Sequence, residues 1–291
     1  MSTPTTEAGE ARTTAFVSAQ WLERHLTDPR VAVIEITDDP AHVDAPGTIP
    51  GGRAVYWKNL LWHAERREFA SAAELSDRLL ALGAGTGHTL VFAGEPTQFA
   101  AYALWVARVV GVGGDLRYLD GGLEAWRWRD SGSPDTPVEA QFIRPYSALP
   151  VSTPQPEHVI DRDGVRQALD SDTVVVDLRS PEEFAGDRVS PATEPIDHGA
   201  QRHGRIPGAR SLHVRELLDD VGRVLPADAL RERISTLDAE QAPELVFYCR
   251  LSHRAALGWL VFTDILDDPR VRVYDGSWTE WGSIVGTPIE R

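Results

Sequence analysis

Short runs of β-branched and aromatic residues alternate along the chain with segments in which apolar residues recur at helical spacing. The clearest strands are predicted at Val31–Ile36, Thr89–Phe92, Val174–Asp177 and Leu245–Tyr248. A helix is predicted over Ser18–Leu26, and the capping-box pair Ser71 and Glu74 starts another. This alternation predicts an α/β fold, in which helices cover both faces of a parallel sheet.

The pattern occurs twice, because landmarks of the first half recur in the same order about 155 residues later. Leu90–Gly94 matches Leu245–Cys249, and Ile49–Gly51 matches Ile206–Gly208. We therefore interpret the chain as a duplicated domain. The predicted division is a disordered lead at residues 1–14, a first domain at 15–144, a Pro-rich linker at 145–157 and a second domain at 158–291.

The second half carries an insert of about fifteen residues relative to the first, spanning roughly Pro181 to Gln201. Long loops of this kind are often functional, but many only decorate a surface. The sequence leaves both interpretations of the insert open.

Composition narrows the class of protein. The 291 residues are 42% hydrophobic and 25% charged, as expected of a globular protein, and no apolar run is long enough for a membrane helix. The net charge of −15 argues against nonspecific nucleic-acid binding.

Residues 1–14 lack a secretory signal, and one cysteine cannot form an internal disulfide, so we expect a cytoplasmic protein. No cluster has metal-ligand spacing, so no metal site is predicted.

Cys249 is the only cysteine, and it lies in the setting of a reactive one. It follows the strand Leu245–Tyr248 and precedes an apolar helical segment, so helix N-terminal amides should stabilise an anionic sulfur together with Arg250 and Arg254. The alternative is a small buried hydrophobic residue at a strand end. The first half has Gly94 at the matching position, which predicts a scaffold or lid rather than a second catalytic domain.

Four motifs stand in the second half: Asp177–Phe184, Gly204–Ala209, Cys249–Arg254 and Tyr274–Trp281. Taken together they resemble the tandem-domain rhodanese family of sulfurtransferases, over residues from about 15 to 291. The resemblance implies two tandem α/β/α domains, the second catalytic, each with a central, mainly parallel sheet of about five strands. Two positions depart from the family pattern: Ser252 replaces a frequent Gly in the loop, and Arg205 replaces the usual His before Ile-Pro-Gly.

The resemblance also implies the chemistry, which is sulfur transfer through a persulfide on Cys249 without a cofactor. The expected donor is thiosulfate or a related compound, because Arg250 suits a sulfonate group. The acceptor is cyanide, a small thiol or a protein thiol, and it must come from outside because the chain has no resolving cysteine.

Roles for individual residues follow from the same resemblance. The predicted persulfide cradle is Arg250, Leu251, Ser252, His253 and Arg254. Donor binding is assigned to Arg250, Arg254, Arg179, Arg202 and Trp278, and support of the loop to Asp177, Asp275 and Ser277. Simpler interpretations stay open: a salt bridge for Arg250, a tie from Arg254 to Asp275 or Asp177, an exposed His253, and a core position for Trp278 and Trp281.

Three alternative functions remain. The donor could be 3-mercaptopyruvate, or the protein could be a persulfide carrier that serves a partner in a sulfur relay or a biosynthetic pathway. A cysteine phosphatase is the remote alternative, because such enzymes typically have five residues between Cys and Arg, and here four separate Cys249 from Arg254.

Overall fold

The computed structural model describes residues 15–42, 45–129, 145, 147–194 and 196–291. They form two compact units, the first of residues up to 107 together with 112–152 and the second of residues 108–111 together with 153–291, so that the last division lies between Ser152 and Thr153. This division falls within the predicted linker at 145–157, and the domain bounds themselves stay a prediction. The predicted disordered lead at residues 1–14 lies outside the described residues.

The first unit is built on a mainly parallel sheet. Its elements are β1 (Phe16–Val17), α1 (Ala19–His25), β2 (Val31–Thr37), β3 (Ala45–Pro46), β4 (Arg53–Tyr56), α2 (Trp57–Leu61), α3 (Ala72–Ala81), β5 (Thr89–Glu95), α4 (Gln98–Val110), β6 (Asp115–Leu119) and α5 (Gly122–Trp128). The strand order is β1-β6-β5-β2-β4-β3, and only the two-residue β3 pairs antiparallel. This short edge strand adds a sixth strand to the five expected.

The second unit repeats that architecture with a parallel sheet of five strands. Its elements are a 3₁₀ turn (Pro156–His158), β7 (Val159–Ile160), α6 (Arg162–Ala168), β8 (Val174–Asp177), α7 (Pro181–Ala185), β9 (Arg210–Ser211), a 3₁₀ turn (Val214–Leu217), α8 (Ala227–Ser235), β10 (Leu245–Tyr248), α9 (His253–Asp264), β11 (Val271–Tyr274) and α10 (Ser277–Trp281). The strand order is β7-β11-β10-β8-β9, which follows the order β1-β6-β5-β2-β4 of the first sheet. The expected α/β fold is confirmed.

The central strand β10 positions the functional loop of the second unit. It lies between β8 and β11, and all four of its residues are buried. A strand covered on both faces needs apolar side chains on both, which explains the unbroken run Leu245–Tyr248. Tyr248 pairs with Asp177 at the ends of β10 and β8. Cys249 and Asp275 directly follow β10 and β11, so they lie at the same edge of the sheet.

The predicted helix starts are present in the structure. Ser18 caps α1, where its side chain accepts a hydrogen bond from the Trp21 amide. Ser71 and Glu74 form the reciprocal capping box at the start of α3. None of the helices among the described residues has the length and apolar character that a membrane crossing requires.

Candidate active site

Cys249 lies between the carboxyl end of β10 and the start of α9, with 1% of its surface exposed. Its backbone is fixed on both sides by the segment that begins α10. The Cys249 amide donates to the Ser277 hydroxyl at 3.2 Å, and the Trp278 amide donates to the Cys249 carbonyl at 2.9 Å. Ser277, predicted to support the loop, thus contacts the Cys249 backbone directly.

Ser252 makes the turn that leads into α9. Its φ is 71°, in the left-handed region where a side chain costs about 1 kcal/mol relative to Gly. Its hydroxyl donates to the Asp275 carbonyl at 2.5 Å and lies 2.9 Å from Asp275 Oδ1. These hydrogen bonds offset the strain of the positive φ. They explain why Ser is tolerated at a position where the family often has Gly.

The same turn orients the amides that follow Cys249. The Ala256 amide donates to the Ser252 carbonyl at 2.7 Å, as expected at a helix start. Earlier amides of the first turn have no acceptor within the helix, because an α-helix leaves its first N–H groups without intrahelical partners. Such amides are suited to bind an anionic sulfur.

Substitutions at Ser252 separate the strain of this turn from its hydrogen bonds. Ser252→Ala keeps the left-handed strain and removes the hydroxyl, whereas Ser252→Gly removes both. We therefore expect the Ala variant to be less stable than the Gly variant by about 1 kcal/mol, measured as the free energy of unfolding in urea. Equal stability of the two variants would show that the turn relaxes without strain.

Arg254 is tied to Glu183 of α7. Its guanidinium donates to both carboxylate oxygens, at 2.6 and 2.9 Å, and neither residue is more than 9% exposed. Both terminal nitrogens of Arg254 thus bind an acid in the first turn of α7 that the sequence interpretation did not name, and a tie to Asp275 or Asp177 stays a prediction. A bidentate ion pair of this kind fixes the start of α9 against α7, and with it the loop that precedes α9.

Glu183 is itself held by the start of its own helix. Its carboxylate accepts from the Ser180 amide at 3.0 Å, and its amide donates to the Ser180 hydroxyl, which completes a capping box. Burial alone would raise the pKa of Glu183, but the hydrogen bonds and charge of Arg254 hold that pKa below its ordinary value of 4.5. Glu183 is therefore an ionised, buried carboxylate.

Asp177 and Arg179 form a second buried pair beneath the sheet edge. The guanidinium donates to Asp177 through Nε at 3.0 Å and through one terminal nitrogen at 2.7 Å, and also to the Gly204 carbonyl at 2.8 Å. The Tyr248 hydroxyl donates to Asp177 at 2.6 Å. Burial and the Asp177 charge raise the pKa of Tyr248, so that hydroxyl stays protonated. Asp177 thus binds Tyr248, the residue before Cys249, and its role in supporting the loop stays a prediction.

Arg250 is engaged by the insert. Its guanidinium donates to Glu194 at 2.8 Å, and a Cβ built on Gly199 would lie 3.2 Å from Arg250 Nε. Arg250 therefore forms a salt bridge, which was the simpler of its two predicted interpretations, and its partner is Glu194. The insert therefore contacts the Cys249–Arg254 loop through Arg250, and a functional role for the insert stays a prediction.

The remaining predicted residues lie around the loop in different roles. Leu251 and His253 are half-buried. Trp278 is fully buried, and the Arg179 guanidinium lies 4.6 Å from its ring centre, so it belongs to the core. Arg202 donates to the carbonyls of Trp281, Gly282, Ile284 and Thr287, contacts that favour anchoring of the C-terminal segment over donor binding.

The matching loop of the first unit has no room for a nucleophile. A Cβ built on Gly94 would lie 2.8 Å from the Ala100 amide nitrogen and 3.0 Å from the Pro96 carbonyl oxygen. Contacts this close are not tolerated by real side chains without movement of the backbone. The first half therefore differs from the second in two ways: it lacks the cysteine, and its loop is packed too tightly to accept one at position 94.

Sequence reasoning missed three residues of this site as functional candidates: Glu183, Glu194 and Tyr248. The capping-box spacing from Ser180 to Glu183 is a signal that would have placed Glu183 at the start of a helix. No comparable signal marks Glu194, because it lies in a loop without periodicity.

Comparisons with known proteins agree with this geometry. Residues 161–284 match the Rhodanese-like domain family. The chain is 32% identical to the protein named "Sulfur carrier protein TtuD" of Thermus thermophilus, covering 97% of this chain and 99% of that protein. It is also 32% identical to the "Putative thiosulfate sulfurtransferase" of Mycolicibacterium smegmatis, covering 96% and 99%.

Solved structures show the same fold at lower identity. The anaerobic ergothioneine biosynthesis enzyme from Chlorobium limicola, in complex with trimethyl histidine, matches with a TM-score of 0.73 at 21% identity, covering 99% of this chain and 72% of that one. YnjE matches with a TM-score of 0.72 at 24% identity, covering 95% and 68%. Because the chain is 32% identical to these curated relatives over nearly its full length, it belongs to the tandem-domain rhodanese family of sulfurtransferases.

Proposed function

We propose that this protein moves a sulfane sulfur from thiosulfate to a thiophilic acceptor through a persulfide on Cys249. Its family has sulfurtransferase or sulfur carrier function. The observation that carries the proposal is the position of Cys249 between β10 and the amides that begin α9, with Arg254 locked beside it by Glu183. Covalent catalysis of this kind follows ping-pong kinetics.

In the first step the Cys249 thiolate attacks the sulfane sulfur of thiosulfate. A new S–S bond forms on Cys249, and the S–S bond of thiosulfate breaks with its electron pair leaving on sulfite. One negative charge remains on the persulfide and two leave with sulfite, so charge is conserved. The first-turn amides of α9 would stabilise the terminal persulfide sulfur, with the helix dipole adding to the effect.

In the second step an acceptor attacks the terminal sulfur and the Cys249 thiolate is released. Cyanide would leave as thiocyanate, and a thiol would leave as a persulfide. Cys249 is the only cysteine in the sequence, so the persulfide cannot discharge into an internal disulfide. The acceptor must therefore enter from outside.

Thiosulfate is proposed as the donor because Arg250 directly follows the nucleophile and carries a guanidinium suited to a sulfonate. We expect Arg250→Ala to raise KM for thiosulfate by about tenfold, since one charge-assisted hydrogen bond is worth about 1.5 kcal/mol or more. The rise in KM for 3-mercaptopyruvate should be smaller. Steady-state kinetics with cyanide as acceptor measures both values.

The control for this prediction is Arg231→Ala, which removes an exposed arginine of α8 that pairs only with Asp228 among the described residues. It should leave both KM values unchanged. Equal rises for the two donors in Arg250→Ala would remove the argument for thiosulfate, and a larger rise for 3-mercaptopyruvate would favour that donor.

A persulfide carrier is the second candidate, and the relative named as a sulfur carrier favours it. Such a protein would load sulfur from a donor but turn over slowly with cyanide or small thiols. If the same loaded protein passes its sulfur quickly to a protein thiol and slowly to cyanide, the carrier is favoured over an enzyme that turns over with small acceptors.

A further inference from the structure

Three of the four arginines assigned to donor binding are already paired with carboxylates. Arg254 pairs with Glu183, Arg179 pairs with Asp177, and Arg250 pairs with Glu194. The first two pairs lie within the core, and their acids belong to α7 and β8. The third differs because its acid, Glu194, lies in the part of the insert that follows α7, outside any helix or strand, and its side chain is 34% exposed.

The Glu194 carboxylate is held in place from several directions. One oxygen accepts from Arg250 at 2.8 Å, and the other lies 2.7 Å from His198 Nε2. The Glu194 backbone is fixed as well, since its amide donates to the Pro191 carbonyl and its carbonyl accepts from Arg188 at 3.0 Å. The contact with Arg250 is therefore built into the folded insert.

Exposure sets the strength of this pair. The Arg250 side chain is 14% exposed and that of Glu194 is 34% exposed. A pair that is partly withdrawn from water is screened less than a surface pair, and the carboxylate accepts from one of the guanidinium nitrogens, Nη1, that could bind a sulfonate. An anionic donor can bind this nitrogen of Arg250 only after it displaces the Glu194 carboxylate, and the negative charge of that carboxylate opposes its approach.

We propose that Glu194 is a specificity-determining residue, whose carboxylate competes with the anionic group of the sulfur donor for Arg250. The inference rests on the proposed function, because it concerns the loading of Cys249. Glu194 lowers the affinity for donors that carry a sulfonate or a carboxylate. Donors without a second anionic group, such as persulfides of uncharged thiols, do not need Arg250 and are not affected. Glu194 thereby narrows the advantage that Arg250 gives to small dianions such as thiosulfate over donors without a second anionic group.

The test compares two donors in a single turnover, with the rate of persulfide formation on Cys249 followed by intact mass. The donors are thiosulfate and the persulfide of 2-mercaptoethanol, whose leaving thiol carries no sulfonate or carboxylate. Glu194→Gln keeps the size of the side chain and removes its charge. It should raise the second-order loading rate with thiosulfate about three- to tenfold, the range of ion-pair effects at partly exposed sites, and leave the other donor within twofold.

Two further variants fix the cause of any change. In an Arg250→Ala background Glu194→Gln should have no effect on loading by thiosulfate, because the competition no longer exists. Glu232→Gln removes the same charge from an exposed residue of α8 and should change neither rate, which controls for the overall field of the protein.

The outcomes distinguish this inference from the proposed function. If Glu194→Gln leaves the loading rate with thiosulfate unchanged or lowers it, Glu194 does not compete with the donor. A lowered rate would mean that Glu194 instead orients Arg250 for binding. A rise that persists without Arg250, or that Glu232→Gln reproduces, also overturns this inference. Failure of both donors to load the unaltered protein overturns the proposed function and this inference with it.

Discussion

Cys249→Ser is expected to abolish sulfur transfer while leaving the protein folded. A serine hydroxyl is not ionised at neutral pH and cannot carry a sulfane sulfur, so the rate of thiocyanate formation from thiosulfate and cyanide should fall by at least about a thousandfold. Cys249 is 1% exposed and the substitution changes one atom, so the free energy of unfolding should change by no more than about 1–2 kcal/mol.

Cys249→Ala is the control for the serine variant, which could lose activity by unfolding because it buries a hydroxyl. The alanine variant removes the thiol without adding a hydroxyl. Both variants should be inactive, and at least one should unfold at nearly the temperature of the unaltered protein. Transfer at more than a few per cent of the original rate in either variant would contradict a persulfide on Cys249.

Glu183→Gln is expected to have the largest effect on stability. It leaves the Arg254 guanidinium buried without a compensating charge, and loss of one partner of a buried pair costs about 3–5 kcal/mol. Denaturation in urea measures this loss. Persulfide loading should fall as well, because Glu183 holds Arg254 at the start of α9. Glu182→Gln, at the exposed neighbouring position, should change stability by no more than about 0.5 kcal/mol.

The pH dependence of this difference follows from the lowered pKa of Glu183. A depressed pKa in the folded state contributes stability that is complete above the ordinary value of 4.5 and is lost as the pH falls through the folded value. The stability gap between the unaltered protein and Glu183→Gln should therefore narrow as the pH falls below about 4.5. A gap that stays constant down to pH 3 would show that the charge of Glu183 is not the cause.

The core strands of the fold were predictable because each is an apolar run with polar residues at both ends. Predicted and observed bounds coincide for Val174–Asp177 and Leu245–Tyr248. Among the described residues, the two-residue strands β1, β3, β7 and β9 were not predicted, because so short a segment has no periodicity and depends on its neighbours in the sheet.

The site was predictable where a single stretch of sequence carries it, and not where distant segments meet. The position of Cys249 follows from the strand before it and the apolar helix after it. The partners of Arg250 and Arg254 do not follow in the same way, because Glu194 and Glu183 lie 56 and 71 residues away. Many acids precede both arginines in the sequence, and only the folding of the insert selects these two.

A persulfide on Cys249 is tested most directly by the intact mass of the protein before and after incubation with thiosulfate, with Cys249→Ser alongside. We expect a gain of one sulfur atom, about 32 Da, in the unaltered protein and no gain in the variant. Removal of that mass by cyanide, with formation of thiocyanate, would complete the cycle. A protein that gains no sulfur from thiosulfate, or that gains it equally without Cys249, would contradict the proposed mechanism.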